Sequence, residues 1–227
     1  MPERYLGPNE ISRIRRFRPI YEKAASIVGW LPWTALPPIH YRENDLLERS
    51  QTVGGAFQLD PGGTGDDLRK AIDEYVEIVG RLYSITLGNI ETDFETAAIV
   101  GAHELKTKLR SPALIRPPLI DAGVDEAELA RGYLRYNGLG AKLTAPDGTT
   151  YRYYSERGQT GSGNPEASPD WSPYVANDPH SGRVLTMRAT QPDPSDPSKR
   201  ISIQRPDRRP GAIIIFREIL ARAAELG

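Results

Sequence analysis

The sequence predicts an α+β fold dominated by helices, on three observations. Apolar residues recur at helical spacing through most of the chain before Asn137. Beyond it the period shortens, and alternating stretches are separated by Pro, Gly, Asp and Ser. From Gly211 to Leu226 the helical spacing returns, after a proline suited to a first helical position.

The elements follow in order. Asn9 is placed to cap a first helix that runs to about Val28, with Ile11, Ile14, Tyr21, Ala25 and Val28 on one face. Pro19 is expected to break or kink it. A short second helix should end near Glu43. Leu68 to Leu87 is a third, with Leu68, Ile72, Tyr75, Val76, Val79, Leu82 and Tyr83 as its apolar stripe. Thr92 and Glu95 have capping-box spacing at the head of a fourth helix ending near Leu109, in which Phe94, Ala98, Ala102, Leu105 and Leu109 share a face. Asp125 and Glu128 open a further helix that stops at Asn137-Gly138. Lys142–Thr144 and Thr149–Tyr153 flank the turn Pro146-Asp147-Gly148 as a hairpin. Ser155 to Asp170 reads as a surface loop, and Arg183–Thr190 with Arg200–Gln204 as a second hairpin. Pro210 then occupies the first position of the closing helix.

Composition narrows the function. The chain has 227 residues, enough for one large domain or two small ones with a sizeable core. Its 29 Lys and Arg nearly cancel its 30 Asp and Glu, which disfavours a broad electrostatic nucleic-acid binder. Without cysteine it has no disulfides, no Cys-based zinc or iron–sulfur sites and no thiol nucleophile. No apolar run approaches the roughly 20 residues of a spanning helix. The stretch from Met1 to Arg18 is polar and Arg-rich, unlike a secretory signal peptide.

Several chemistries lack support. Gly62-Gly63-Thr64-Gly65 is glycine-rich, but Asp66 and Asp67 follow it where a phosphate loop needs Lys and Ser or Thr. His103-Glu104 begins like a zincin motif, yet no second His follows, and the remaining His40 and His180 are scattered, so no metal site is expected. There is no Gly-x-Ser-x-Gly elbow.

Three short motifs carry more. In Ile39-His40-Tyr41-Arg42-Glu43-Asn44 a carboxylate ends an apolar segment. Half-buried against Trp30, Trp33 or Tyr41, such a Glu would hold its proton near neutral pH and could donate it. The ordinary alternative is a surface Glu43 paired with Arg42 or Arg49. In Gly54-Gly55-Ala56-Phe57-Gln58-Leu59-Asp60 the glycines permit close approach to the backbone, Phe57 is a packing anchor, and Gln58 offers a donor and an acceptor. Taken alone, a turn followed by a short strand or helix start accounts for it more readily. In Tyr136-Asn137-Gly138-Leu139-Gly140 a helix C-cap accounts for Asn137 and Gly138 but not for the tyrosine.

In this order the motifs resemble those of goose-type lysozymes and soluble lytic transglycosylases. They are still more similar to a phage and bacterial lysozyme-like group, which also has a counterpart of Ser172-Pro173-Tyr174-Val175. The resemblance spans roughly Tyr21 to Asp178. Two features depart from it: Pro37-Pro38 stands a turn before Glu43, and Asn44 stands where Ser commonly follows the acid.

The resemblance implies a lysozyme-like domain that cleaves the bond between N-acetylmuramic acid and N-acetylglucosamine in peptidoglycan. Glu43 would be the general acid that protonates the bridging oxygen. An inverting hydrolase needs a second carboxylate about 6.5–9.5 Å away. Asp60 is the first candidate for it, before Asp45 and Asp66. A lytic transglycosylase needs none, because the muramyl 6-hydroxyl attacks internally. Gln58 and the backbone around Phe57 would hold the N-acetyl group, and Tyr136, supported by Asn137, would orient Glu43 or the sugar. Tyr151, Tyr153, Tyr154 and Trp171 are available as stacking faces or as core.

The expected organisation is a catalytic domain over residues 1–180, with a hairpin and helix over 181–227 packed on it. The expected partner is the glycan strand, met by a monomer without cofactor, nucleic acid or membrane span. The expected setting is a phage endolysin in the host cytoplasm or a virion enzyme. Two alternatives stay open: a catalytically inactive lysozyme-like phage structural or glycan-binding protein, and a helical interaction protein with no glycan affinity.

Overall fold

In the computed structural model, the described residues are 4–29, 31–50, 53–59, 66–109, 142–144, 150–152, 186–206 and 209–227, with Leu129, Gly132, Tyr133 and Tyr136. They form a mostly helical α+β structure with two separate antiparallel strand pairs.

Helix α1 spans Pro8–Val28, with Gly7 as N-cap and Pro8 in the first turn, where a missing N–H is no loss. Asn9 therefore lies inside the helix rather than capping it. The expected break at Pro19 does not occur, and α1 continues through it. Pro19 and Arg15, whose carbonyl the proline leaves without its helical donor, are both on the exposed face. That carbonyl can turn to water, while the buried face of Ile11, Ile14, Phe17, Tyr21, Ala24, Ala25 and Val28 runs on unbroken.

A 3-10 turn at Trp33–Ala35 leads into α2, Leu36–Asn44. Pro37 and Pro38 fall in its first turn, the one place in a helix where two prolines are tolerated. Helix α3 spans Asp66–Tyr83, shorter than expected because Ser84 turns left-handed, with φ of 54°. Ile72, Val76 and Val79 are buried on its inner face, whereas Leu82 is 61% exposed and does not belong to that stripe. Helix α4 spans Phe94–Lys108. Its N-cap is Asp93, not Thr92: the Asp93 carboxylate accepts the Thr96 N–H at 3.2 Å.

Leu129, Gly132, Tyr133 and Tyr136 are helical, while Asp125, Glu128, Asn137 and Gly138 lie outside the described residues. Strands β1 (Lys142–Thr144) and β2 (Thr150–Arg152) pair antiparallel, with Leu143 opposite Tyr151. The turn between them, the 155–170 loop, Trp171 and Ser172–Val175 also lie outside the described residues. Strands β3 (Thr186–Asp193) and β4 (Asp196–Pro206) pair with Ala189 opposite Ile203 and an irregularity at Pro192/Asp193. Helix α5 spans Ala212–Ala221 with Gly211 as N-cap, so Pro210 precedes the helix instead of opening it; a 3-10 turn, Ala223–Leu226, follows.

The main core gathers Phe17, Tyr21, Ile39, Phe57, Phe94, Ile99, Leu105, Tyr133 and Phe216, drawn from nearly every helix. A smaller cluster of Leu6, Ile11, Ile14, Leu46, Ile215, Ile219 and Leu226 joins the N-terminal segment to the turn after α2 and to α5. Beside it, buried Glu218 accepts the Tyr5 N–H at 2.9 Å and the Leu6 N–H at 3.1 Å, and pairs with Arg222 at 2.9 Å. This carboxylate is therefore both hydrogen-bonded and neutralised, the condition on which a buried charge is tolerated. No helix of the described residues is long and apolar enough to cross a membrane.

Candidate active site

Glu43 is the penultimate residue of α2, and the position of its carboxyl follows from how that short helix is anchored. His40, one turn earlier, is fully buried. Its Nδ1 accepts the Tyr21 hydroxyl at 2.7 Å, and its Nε2–H donates to the Leu47 carbonyl at 2.7 Å. Burial lowers the imidazole pKa to about 4, so at neutral pH it is an uncharged bridge between α1, α2 and the turn that follows. Tyr133 fastens the start of α2 by donating its hydroxyl to the Ala35 carbonyl at 2.9 Å.

The end of α2 is a tight reversal. Asp45 (φ 50°) and Leu46 (φ 58°) are both left-handed, a conformation that disfavours side chains with a Cβ. Leu46 is nonetheless fully buried in the smaller core cluster. Asn44 ties the reversal together: its amide donates to the carbonyls of Leu47 at 2.7 Å and Arg49 at 3.2 Å. The residue that departs from the lysozyme-like pattern thus has a structural task here.

Glu43 itself is half-buried. Its pKa is pushed up from 4.5 to about 7, because loss of water outweighs the opposing positive charges of Arg42 and Arg209. The guanidinium of Arg42 spends its hydrogen bonds elsewhere: it donates to the Arg209 carbonyl at 3.0 Å and the Pro210 carbonyl at 3.4 Å. The surface pairing of Glu43 with Arg42 is therefore not what forms.

The second motif is a compact loop. A 3-10 turn at Gly55–Phe57 is closed by the Leu59 N–H donating to the Gly54 carbonyl at 2.8 Å. Gly55 has φ of 69°, and a Cβ there would stand 2.6 Å from the Ile90 carbonyl oxygen, so the position admits only glycine. Phe57 is fully buried, its ring stacked 5.2 Å from His40 and 6.3 Å from Phe94. It rests directly on Gly101 of α4, where a Cβ would lie 2.7 Å from the ring. Gln58 is half-buried and left-handed, with φ of 50°. Its amide nitrogen donates to Ser50 Oγ at 2.7 Å and to the Gly55 carbonyl at 2.9 Å. Both amide hydrogens are thereby used, and the carbonyl oxygen is the group it can offer a ligand.

Tyr136 links the motifs. Its hydroxyl donates to the Phe57 carbonyl at 2.9 Å, and its pKa is raised by burial first and then by the charges of Glu43 and Glu104. Tyr136 is thus tied to the Phe57–Gln58 loop by a hydrogen bond and lies within electrostatic reach of Glu43. Asp60 and Asn137 lie outside the described residues, as does Trp30; the side chains of Asp66 and Tyr151 are not described.

Sequence reasoning missed two neighbours. Glu104 on α4 accepts the Tyr75 hydroxyl at 2.7 Å and pairs with Lys108 at 3.0 Å, beside Tyr136. Arg209 comes from beyond the second hairpin. Glu104 lies one turn before Lys108 on a helix already recognised, so it was visible as an ion pair but not as a neighbour of Tyr136. Nothing local marks Arg209.

A surface cavity of about 640 Å³ lies elsewhere, between α3 and the 84–90 loop, lined by Asp73, Val76, Gly80, Arg81 and Leu87. It contains none of the Glu43 cluster, and volume alone does not make it the chemical site. Among the described residues no group of three or more His, Asp or Glu stands where it could hold a metal ion. No family model, curated protein or solved structure matches this chain.

Proposed function

We propose that this chain is a lysozyme-like muramidase in which Glu43 is the general acid for cleavage of the N-acetylmuramic acid–N-acetylglucosamine bond of peptidoglycan. The supporting observation is a half-buried carboxyl with its pKa raised to about 7, whose charge acts on Tyr136, itself bonded to the Phe57 carbonyl. At pH 7 such a group is protonated in roughly half of the molecules; an ordinary Glu would be so in only about three per thousand. The acid is thus loaded at neutral pH, because its partial burial disfavours the charged form.

In this reading the glycan lies across Glu43, which gives its proton to the bridging oxygen as the bond breaks. Tyr136, fixed on the Phe57 carbonyl, shapes the floor beside the acid. Gln58 presents its carbonyl oxygen to the acetamido N–H, with Phe57 and Asn137 supporting the two turns. Asp60 is the proposed second carboxylate if water is the nucleophile, and no second carboxylate is needed if the muramyl 6-hydroxyl attacks. The enzyme would act as a monomer on glycan strands, from a host cytoplasm after phage-type release or from a virion.

Clearing of purified peptidoglycan by wild type and Glu43→Gln is the test. Wild type releases soluble muropeptides, and the variant loses at least about a hundredfold, the usual contribution of a positioned acid. Full activity in Glu43→Gln removes the assignment. Reducing ends identify the hydrolase, and anhydromuramyl ends the transglycosylase. Sedimentation with peptidoglycan without release of sugar replaces the enzyme by a glycan-binding domain.

A further inference from the structure

The segment leading into α5 has no part in the motif reading, yet it reaches the acid. The Arg42 guanidinium donates to the Arg209 carbonyl at 3.0 Å, and the Arg209 guanidinium donates back to the Arg42 carbonyl at 2.5 Å. Arg42 is almost fully buried, so this reciprocal pair is shielded from competing water. It closes on the peptide unit joining Arg42 to Glu43.

We propose that Arg209 is a positioning residue for Glu43, clamping the end of α2 through its reciprocal hydrogen bonds with Arg42 and holding a positive charge beside the carboxyl. The proposal deepens the reading of Glu43 as the acid and rests on it for its catalytic meaning. The geometric clamp and the charge stand independently.

The electrostatic consequence has a definite sign. The charges acting on the Glu43 carboxyl are Arg42 on its own helix and Arg209 from the segment before α5, and the carboxyl in turn acts, with Glu104 of α4, on Tyr136 from the helix carrying Tyr133. Desolvation drives the carboxyl pKa up, and the two arginines draw it down. With the arginines in place it settles at about 7. Without Arg209 the proton is held more tightly, past the point where donation is easiest at neutral pH.

The experiment follows the Glu43 carboxyl carbon by NMR during pH titration of the full chain, with Glu43→Gln supplying the assignment. Wild type, Arg209→Gln and Arg209→Lys are compared. In Arg209→Gln the titration midpoint is expected to rise by about half a pH unit or more, with Arg209→Lys restoring most of the difference through its charge. Amide exchange at Asp45 and Leu47 is expected to quicken about tenfold in Arg209→Gln, since the clamp no longer holds the helix end. Arg209→Ala replaces Arg209→Gln if the latter does not fold. An unchanged or lowered midpoint in the neutral variant, or a lysine variant indistinguishable from it, overturns the proposal. If wild type releases no sugar from peptidoglycan, the acid role of Glu43 falls, while the titration still decides the clamp.

Discussion

Replacing Glu43 by Gln should stabilise the protein, and the gain should depend on pH. In the folded state the carboxyl titrates at about 7, against 4.5 when unfolded. Below 4.5 the group is protonated in both states and costs nothing. Between the two values the unfolded chain loses its proton while the folded one keeps it, so stability falls as pH rises. The interval is roughly two and a half pH units at about 1.4 kcal/mol each, or about 3.5 kcal/mol in all, of which a few tenths are already present at pH 4.5. Gln has nearly the same shape and no charge to bury. The stability difference, Glu43→Gln minus wild type, should therefore grow by about 3 kcal/mol from pH 4.5 to above 7. Urea unfolding at half-unit steps measures it. His40 contributes the opposite trend: its folded value of about 4 lies below the unfolded 6.5, so its contribution is present above 6.5 and is lost as pH falls through 4. In wild type the two slopes nearly cancel between about pH 4.5 and 6.5, but His40 is common to both proteins and drops out of the difference. A difference that stays flat with pH would refute the desolvated Glu43 and the acid assignment with it.

Two further outcomes follow. Gly101→Ala drives a methyl into the Phe57 ring, which lies 2.7 Å from the new Cβ; the overpacking should cost about 1–3 kcal/mol in chemical denaturation and reduce peptidoglycan clearing through the shifted Tyr136 anchor. Wild-type stability in that variant means the 55–59 loop is not seated on α4. Long-range proton–nitrogen spectra at pH 6 should show His40 neutral with the proton on Nε2, as its two hydrogen bonds require; an imidazolium signature at that pH contradicts the buried bridge.

The helical half of the fold was legible wherever burial follows period. The stripes of α1, α3 and α4 pick out Ile14, Tyr21, Ile72, Val79, Ala98 and Leu105, all of them inside. Errors came where a local rule met a wider context. Pro19 obeys the helix-breaking rule only on a face that water cannot reach, and its own face is open. Thr92 has the spacing of a cap, but Asp93 is the side chain that accepts from the fourth helix. At the site, the pattern singled out Tyr136 and Phe57, which a hydrogen bond joins, and Glu43, whose charge acts on Tyr136. What the spacing could not carry was the desolvation of Glu43 and the arginine pair set against it. The arginine pair rests on side-chain-to-carbonyl bonds between Arg42 and Arg209, 167 positions apart, which no short pattern encodes.

That separation has a temporal side. A ribosome delivers Arg42 long before Arg209, and the same late stretch supplies Glu218, which holds the amides of Tyr5 and Leu6. Until it emerges, α2 lacks its brace, and the smaller apolar cluster lacks the face that Ile215 and Ile219 supply. The end of α2 and the first residues of the chain therefore reach their final contacts only once the last stretch has been made.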